Sequence, residues 1–187
     1  MYNLIYAINI PSFVYWIIVA ILAIVGLVVG LVLASKHINE KRKKDCFNLL
    51  EKICNNSKND NYVLETVNNK EYDYYIETEK DKFYIKLINN PSNQEICVNN
   101  AIKWQLRRSM YEKEMRFVDG VENLMRLDLK NEGKTNHKIY IIYPNARALL
   151  KVINECEMVF INPTTDIYGA RILTYRQLEE DNDLLGV

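Results

Sequence analysis

Between Phe13 and Ala34 the chain reads FVYWIIVAILAIVGLVVGLVLA, without one charged side chain. Rising 1.5 Å per residue as a helix, this run is about 33 Å long, enough to cross a hydrocarbon core of about 30 Å. We read 13–34 as a transmembrane helix. Tyr15 and Trp16 stand at its start, where amphipathic rings suit the headgroup region. The first charged residue is Lys36, which opens KHINEKRKK. A basic flank on the C-terminal side places residues 36–187 in the cytoplasm and the short segment 1–12 outside, so the chain is expected in the cell membrane as a single-pass protein. A cleaved signal peptide is the competing reading, because Val32-Leu33-Ala34 before Ser35 resembles a small-residue cleavage site. The missing positive n-region and the length of the run argue against it.

Beyond the apolar run, 24 basic and 24 acidic side chains cancel over the whole 187-residue chain. A protein built to neutralise a phosphate backbone carries a basic excess, so nucleic acid is not supported as a partner by charge. Cys46, Cys54, Cys97 and Cys156 are widely spaced with no CxxC pair, and His37 and His137 are the only histidines. Free thiols in or near a core fit better than a zinc site. No serine or cysteine stands beside either histidine in a nucleophile pattern, and the six glycines make no phosphate loop.

Past the anchor, a basic juxtamembrane and amphipathic segment occupies 35–57, with Phe47, Leu50, Ile53 and Cys54 at helical spacing. YVLETV (62–67), EYDYYIET (71–78) and KFYIKLI (82–88) read as a three-stranded meander. The stretch 93–116 reads as a strand turning helical near Ala101, or as a helix throughout. FVDGVENLMRLDL (117–129) predicts a helix, KIYIIYP (138–144) a buried strand, and ARALLKVINECE (146–157) a helix capped by Asn145. MVFI is expected as a buried strand, NPTTDIYG as a loop, ARILTY as a last strand, and 179–187 as a flexible acidic tail. The fold class expected is therefore α/β: a transmembrane helix followed by a cytoplasmic mixed-sheet domain over 58–178, in the order α-βββ-α-β-α-ββ.

Within the meander Asp73 falls on the second strand and Lys86 on the third. A helix, a three-stranded meander, a helix and a further buried strand, with an acidic residue and a lysine so placed, resembles the PD-(D/E)XK superfamily, the restriction-endonuclease-like fold, over residues 38 to about 161. The resemblance implies Mg²⁺ or Mn²⁺ at Asp73 and Lys86 as a catalytic lysine that positions the attacking water. The family has an acidic residue two before the lysine; here that position is Tyr84, a poor ligand for a hard cation. Glu51 or Glu77 would have to complete the metal set, and Gln105 is a polar residue of a kind the family has on its following helix. The plainer reading is a half-exposed sheet with Asp73 and Lys86 as a cross-strand ion pair.

Three further features invite a reading. Gly26, Gly30 and Ala34 form a small-xxx-small stripe that permits close approach of a second helix. Lys36, Lys41, Arg42, Lys43 and Lys44 would meet anionic headgroups at the membrane surface. Arg107, Arg108, Lys113 and Arg116 beside Trp104 and Tyr111 read as a solvated helix face. Taken together, the expected function is a binding or scaffolding module at the membrane, with no cofactor and with a protein partner or self-association; the alternative is a membrane-attached metal-dependent nuclease.

Overall fold

Buried Cys46, Leu49, Leu50, Ile53 and Cys54 recur at the i, i+3, i+4, i+7, i+8 spacing of one helix face. In a computed structural model of the chain this stripe ends a single helix, α1 (Ser12–Asn56). The structure describes residues 12–57, 61–67, 69–108, 116–130, 133–154 and 157–186. It divides into two units, Met1–Arg42 and Lys43–Val187. The described residues of the first are the N-terminal part of α1, whose apolar run is long and apolar enough to cross a membrane by length and composition, with nearly all of its large hydrophobic side chains from Phe13 to Leu33 exposed.

The described residues of the second unit are α/β, as expected, but form two five-stranded sheets rather than one. The first sheet has the order β1 (Val63–Thr66), β2 (Tyr74–Glu77), β3 (Asp81–Asn89), β7 (Thr135–Tyr143), β10 (Arg171–Thr174). Its first three strands are the antiparallel meander, and β3, β7 and β10 run parallel. The second sheet has the order β6 (Arg116–Phe117), β5 (Trp104–Arg107), β4 (Glu95–Val98), β8 (Leu149–Asn154), β9 (Glu157–Phe160).

Strand β7 shows how the layers stack. Alternate side chains point to opposite faces of a strand. Ile139 and Ile141 join the α1 stripe in one core, while Tyr140 and Ile142 join Ile96, Val98, Trp104 and Leu149 of the second sheet in another. Both faces of β7 are covered, which is why KIYIIY reads as a near-continuous apolar run. The layers are thus helix, sheet, sheet.

The predicted order fails in four places, each for a local reason. The stretch 93–116 supplies β4 and β5 rather than a helix, and its residues 109–115 lie outside those described. The helix predicted over 117–129 shrinks to α2 (Val121–Met125): Gly120 sits at φ 78°, outside helical space, and the Lys138 ammonium caps the Met125 and Leu127 carbonyls. The helix predicted over 146–157 is strand β8, because parallel pairing of Leu149, Leu150 and Lys151 with β4 overrides an ambiguous period. The tail predicted over 179–187 instead opens with the end of α3 (Tyr175–Glu180), capped reciprocally by Thr174 and Gln177, and continues in a 3-10 turn (Asn182–Leu185) that buries Leu185 completely.

One buried side chain joins the sheets. Both β3 and β7 lead into second-sheet strands at the same end, and there Asn90, 2% exposed, donates to the Gln94 and Asn145 carbonyls and accepts from the Gln94 amide. Replacing it by Ala removes these partners from the Gln94 amide and the Asn145 carbonyl, while the Gln94 carbonyl keeps the Arg147 amide. Asn90→Ala is expected to cost about 1–3 kcal/mol, readable as a lower urea midpoint in pulse proteolysis of the full chain; an unchanged midpoint would mean the junction holds itself.

Candidate functional site

Strand pairing builds the Asp73 site. Tyr74 opens β2 and pairs with Ile85, and the Asp73 amide donates to the Ile85 carbonyl at 2.8 Å, so Asp73, in the bend one residue before β2 rather than on it, meets Lys86 of β3. The Lys86 Nζ lies 3.4 Å from Asp73 Oδ2, which also accepts from the Leu87 amide at 3.0 Å. The other oxygen, Oδ1, lies 3.0 Å from the Lys43 ammonium on α1. Lys86 further donates to the Lys70 carbonyl at 3.1 Å. The Asp73 and Lys86 side chains are 9% and 14% exposed and Lys43 47%. The carboxylate is therefore held by two ammonium groups and one amide, an arrangement that ties helix, β2 and β3 together.

The other candidate ligands lie elsewhere. Glu77 is four residues along β2, about 13 Å away at strand rise, bonded to Lys134 at 2.7 Å and to the Tyr75 hydroxyl at 2.6 Å. Glu51 is exposed on α1, eight residues beyond Lys43 and about 12 Å along the helix axis. Among the described residues no three His, Cys, Asp or Glu side chains gather where they could hold a metal. Tyr84 turns into a cluster with Tyr72 and Tyr75, with ring centroids 5.2 and 5.3 Å away. Gln105 stands on β5, not on a helix.

Lys134 holds the Glu77 carboxyl below its ordinary range, helped by the Tyr75 hydroxyl. A carboxyl whose folded value is depressed contributes stability above its unfolded value and loses it as pH falls through the folded one. Lys134→Met is therefore expected to remove a small, acid-side part of the pH dependence of stability below the normal glutamate range. Parallel melting curves of variant and wild type from pH 3 to 7 check this, with convergence expected at the acid end.

The remaining sequence candidates are placed as follows. Lys43 engages Asp73 rather than standing free for headgroups; Lys36 pairs with Glu40 at 3.9 Å, and Arg42 bonds Asn39 at 3.4 Å. Lys41 and Lys44 are exposed on α1, and a side chain added at Gly26 or Gly30 meets nothing. His137 lies on β7, stacked on Phe83 and 2.8 Å from Asp81 Oδ1. In NPTTDIYG, Asn162 accepts from Thr164, and Asp166 from the Gly169 amide, so the loop caps itself. Arg107 and Arg116 sit on strands, correcting the helix face; Lys113 and Tyr111 lie outside the described residues.

Burial in the helix-side core pushes the Cys46 thiol up to about 12 and the Cys54 thiol to about 11, so both are protonated and unreactive near neutrality. Cys97 is likewise a buried free thiol, while Cys156 lies outside the described residues. A cavity of about 330 Å³ lies beside His137, Lys138, Asp166 and Arg171. Its cations are already engaged: Lys138 by two carbonyls of α2 and its flank, Arg171 by the Leu184 and Leu185 carbonyls.

Two features were beyond sequence reading. The Lys43 partnership needed the helix docked on the sheet. The edge strand β9, expected buried, has all four residues exposed, Phe160 to 80%. Comparison with protein-family models, curated proteins and solved structures finds no match to this chain.

Proposed function

We propose that this is a single-pass membrane protein whose cytoplasmic α/β unit serves as a binding or scaffolding module at the membrane. One observation carries the reading: α1 is apolar on every side and exposed from Phe13 to Leu33, whereas its last turns are buried on one stripe only. A helix apolar all round calls for an apolar surrounding, and one apolar on a stripe calls for a core. The same helix supplies both, so anchor and folded unit are covalently continuous. Exposed apolar residues on the second sheet give the unit a surface for partners.

Two treatments of cells expressing the full chain with a C-terminal tag test this. The chain should stay in the membrane pellet through alkaline carbonate, and protease should remove the tag only after permeabilisation. Release into the supernatant would sink the anchor; tag loss from intact cells would reverse the orientation.

A metal-dependent nuclease is the second reading, favoured by the 3.4 Å approach of Asp73 and Lys86. Mn²⁺ titration of the full chain in micelles, followed by amide signals, separates the two. Broadening focused on residues 73 and 86 would favour the nuclease; broadening without such a focus fits the binding module, in which two lysines occupy the carboxylate.

A further inference from the structure

Strand β9 ends the second sheet, and its outer row of backbone groups bonds to no described residue. Native edge strands are blunted by lysine, proline or inward charge; β9, EMVF, contains neither lysine nor proline. Its side chains are instead apolar and exposed: Met158 40%, Val159 41%, Phe160 80%. By contrast the far edge of the first sheet, β1, carries Val63 as its only large exposed apolar residue, beside exposed Glu65. An open backbone row needs an extended strand, and the side chains decide whose.

We propose that β9 pairs antiparallel with β9 of a second copy about a two-fold axis at Val159, joining the two second sheets. The strand is self-complementary in that register. Val159 meets Val159, and Met158 meets Phe160 twice, a thioether against an aromatic ring. Met158 and Phe160 share one face, opposite Val152 and Leu150 in their own sheet. The Arg107 guanidinium, 3.4 Å from Met158 Sδ, would then lie near Phe160 of the second copy. On the other face Val159 stands between Lys151 of its own sheet, whose ammonium lies over the Tyr168 ring, and Val159 of the second copy, so no like charges oppose.

Four residues a side fall well short of the ~20–30 that stable interfaces use. The pairing therefore rests on the membrane-anchored reading, which confines both copies to one bilayer and raises their effective concentration.

The test uses the full chain in its membrane with Val159→Cys in a Cys156→Ser background. Antiparallel partners lie about 4.5–5.5 Å apart at Cα, within disulfide range, so mild oxidation should give a covalent dimer. Adding Phe160→Asp should lower the yield at least about tenfold by placing a carboxylate in the contact. Glu65→Cys, on the opposite edge of the first sheet, should give little. No dimer at position 159, an equal yield from position 65, indifference to Phe160→Asp, or adducts to other proteins alone would each overturn the proposal. Carbonate extraction of the same samples judges the anchor separately: a retained chain without dimer defeats only the pairing, and a released chain that still dimerises defeats only the anchor.

Discussion

Deleting residues 181–187 is expected to lower the stability of the folded unit by about 3–8 kcal/mol, although these residues read in sequence as a frayed tail. Leu185 is fully buried in the core between α1 and the first sheet, and losing a buried leucine costs about 2–5 kcal/mol. The truncation also removes the Leu184 and Leu185 carbonyls that accept from the half-buried Arg171 guanidinium. Leaving that charge without acceptors adds about 1–3 kcal/mol. Domains are stable by only about 5–15 kcal/mol, so the truncated chain should be largely cleaved under conditions where the intact chain resists. Pulse proteolysis across urea, with both proteins in the same detergent, reads the difference. Leu185→Ala alone should show the smaller part of it. A change below about 0.5 kcal/mol, the range of an exposed substitution, would mean the 3-10 turn does not close the core.

The second large effect is expected at Asp73. Asp73→Asn preserves shape and an acceptor for the Leu87 amide but leaves the Lys86 ammonium, 14% exposed, with neutral oxygens, the substituted amide and the Lys70 carbonyl, in place of a carboxylate. Removing one partner of a buried pair costs about 3–5 kcal/mol, whereas replacing both can be close to neutral. The double variant Asp73→Asn/Lys86→Met should therefore recover most of the loss. Lys43→Met should cost under about 1 kcal/mol, because Lys43 is half exposed and water screens its pair. Urea midpoints of the wild type, Asp73→Asn, Lys86→Met and the double variant form the cycle, with Lys43→Met measured beside them. Additivity of the single changes would refute the coupling, and an equal cost at Lys43 and Lys86 would refute the role given to burial.

These two sites bear differently on how far the sequence could be read. Placing Asp73 at the head of one strand and Lys86 on the next needed only alternating patterns and short turns, and their meeting followed from antiparallel register, although β2 itself begins one residue later, at Tyr74. Glu51 and Glu77 could not be excluded that way, since chain positions carry no distances between elements; about 12 and 13 Å of helix and strand rise separate them from the Asp73 site. The tail escaped because two leucines among acidic residues have no period, and only the floor of the helix-side core shows where Leu185 fits.

The sequence by itself determined the apolar helix, the amphipathic turns that follow it, the meander and the buried strand β7. In each of these the residue pattern repeats with the period of the backbone, so local geometry suffices. Tertiary structure alone decided that 93–108 and 149–154 would be strands of a second sheet, that Asn90 would join the two sheets, and that Lys43 would hold Asp73. Short apolar runs such as LLKVI satisfy helix and strand alike, and the choice falls to whichever neighbour offers a backbone row to pair with; for β8 that neighbour is β4, some fifty residues earlier in the chain. The exposure of β9 follows from the same cause: a strand's burial depends on whether another strand lies beyond it, and among the described residues β9 is the last.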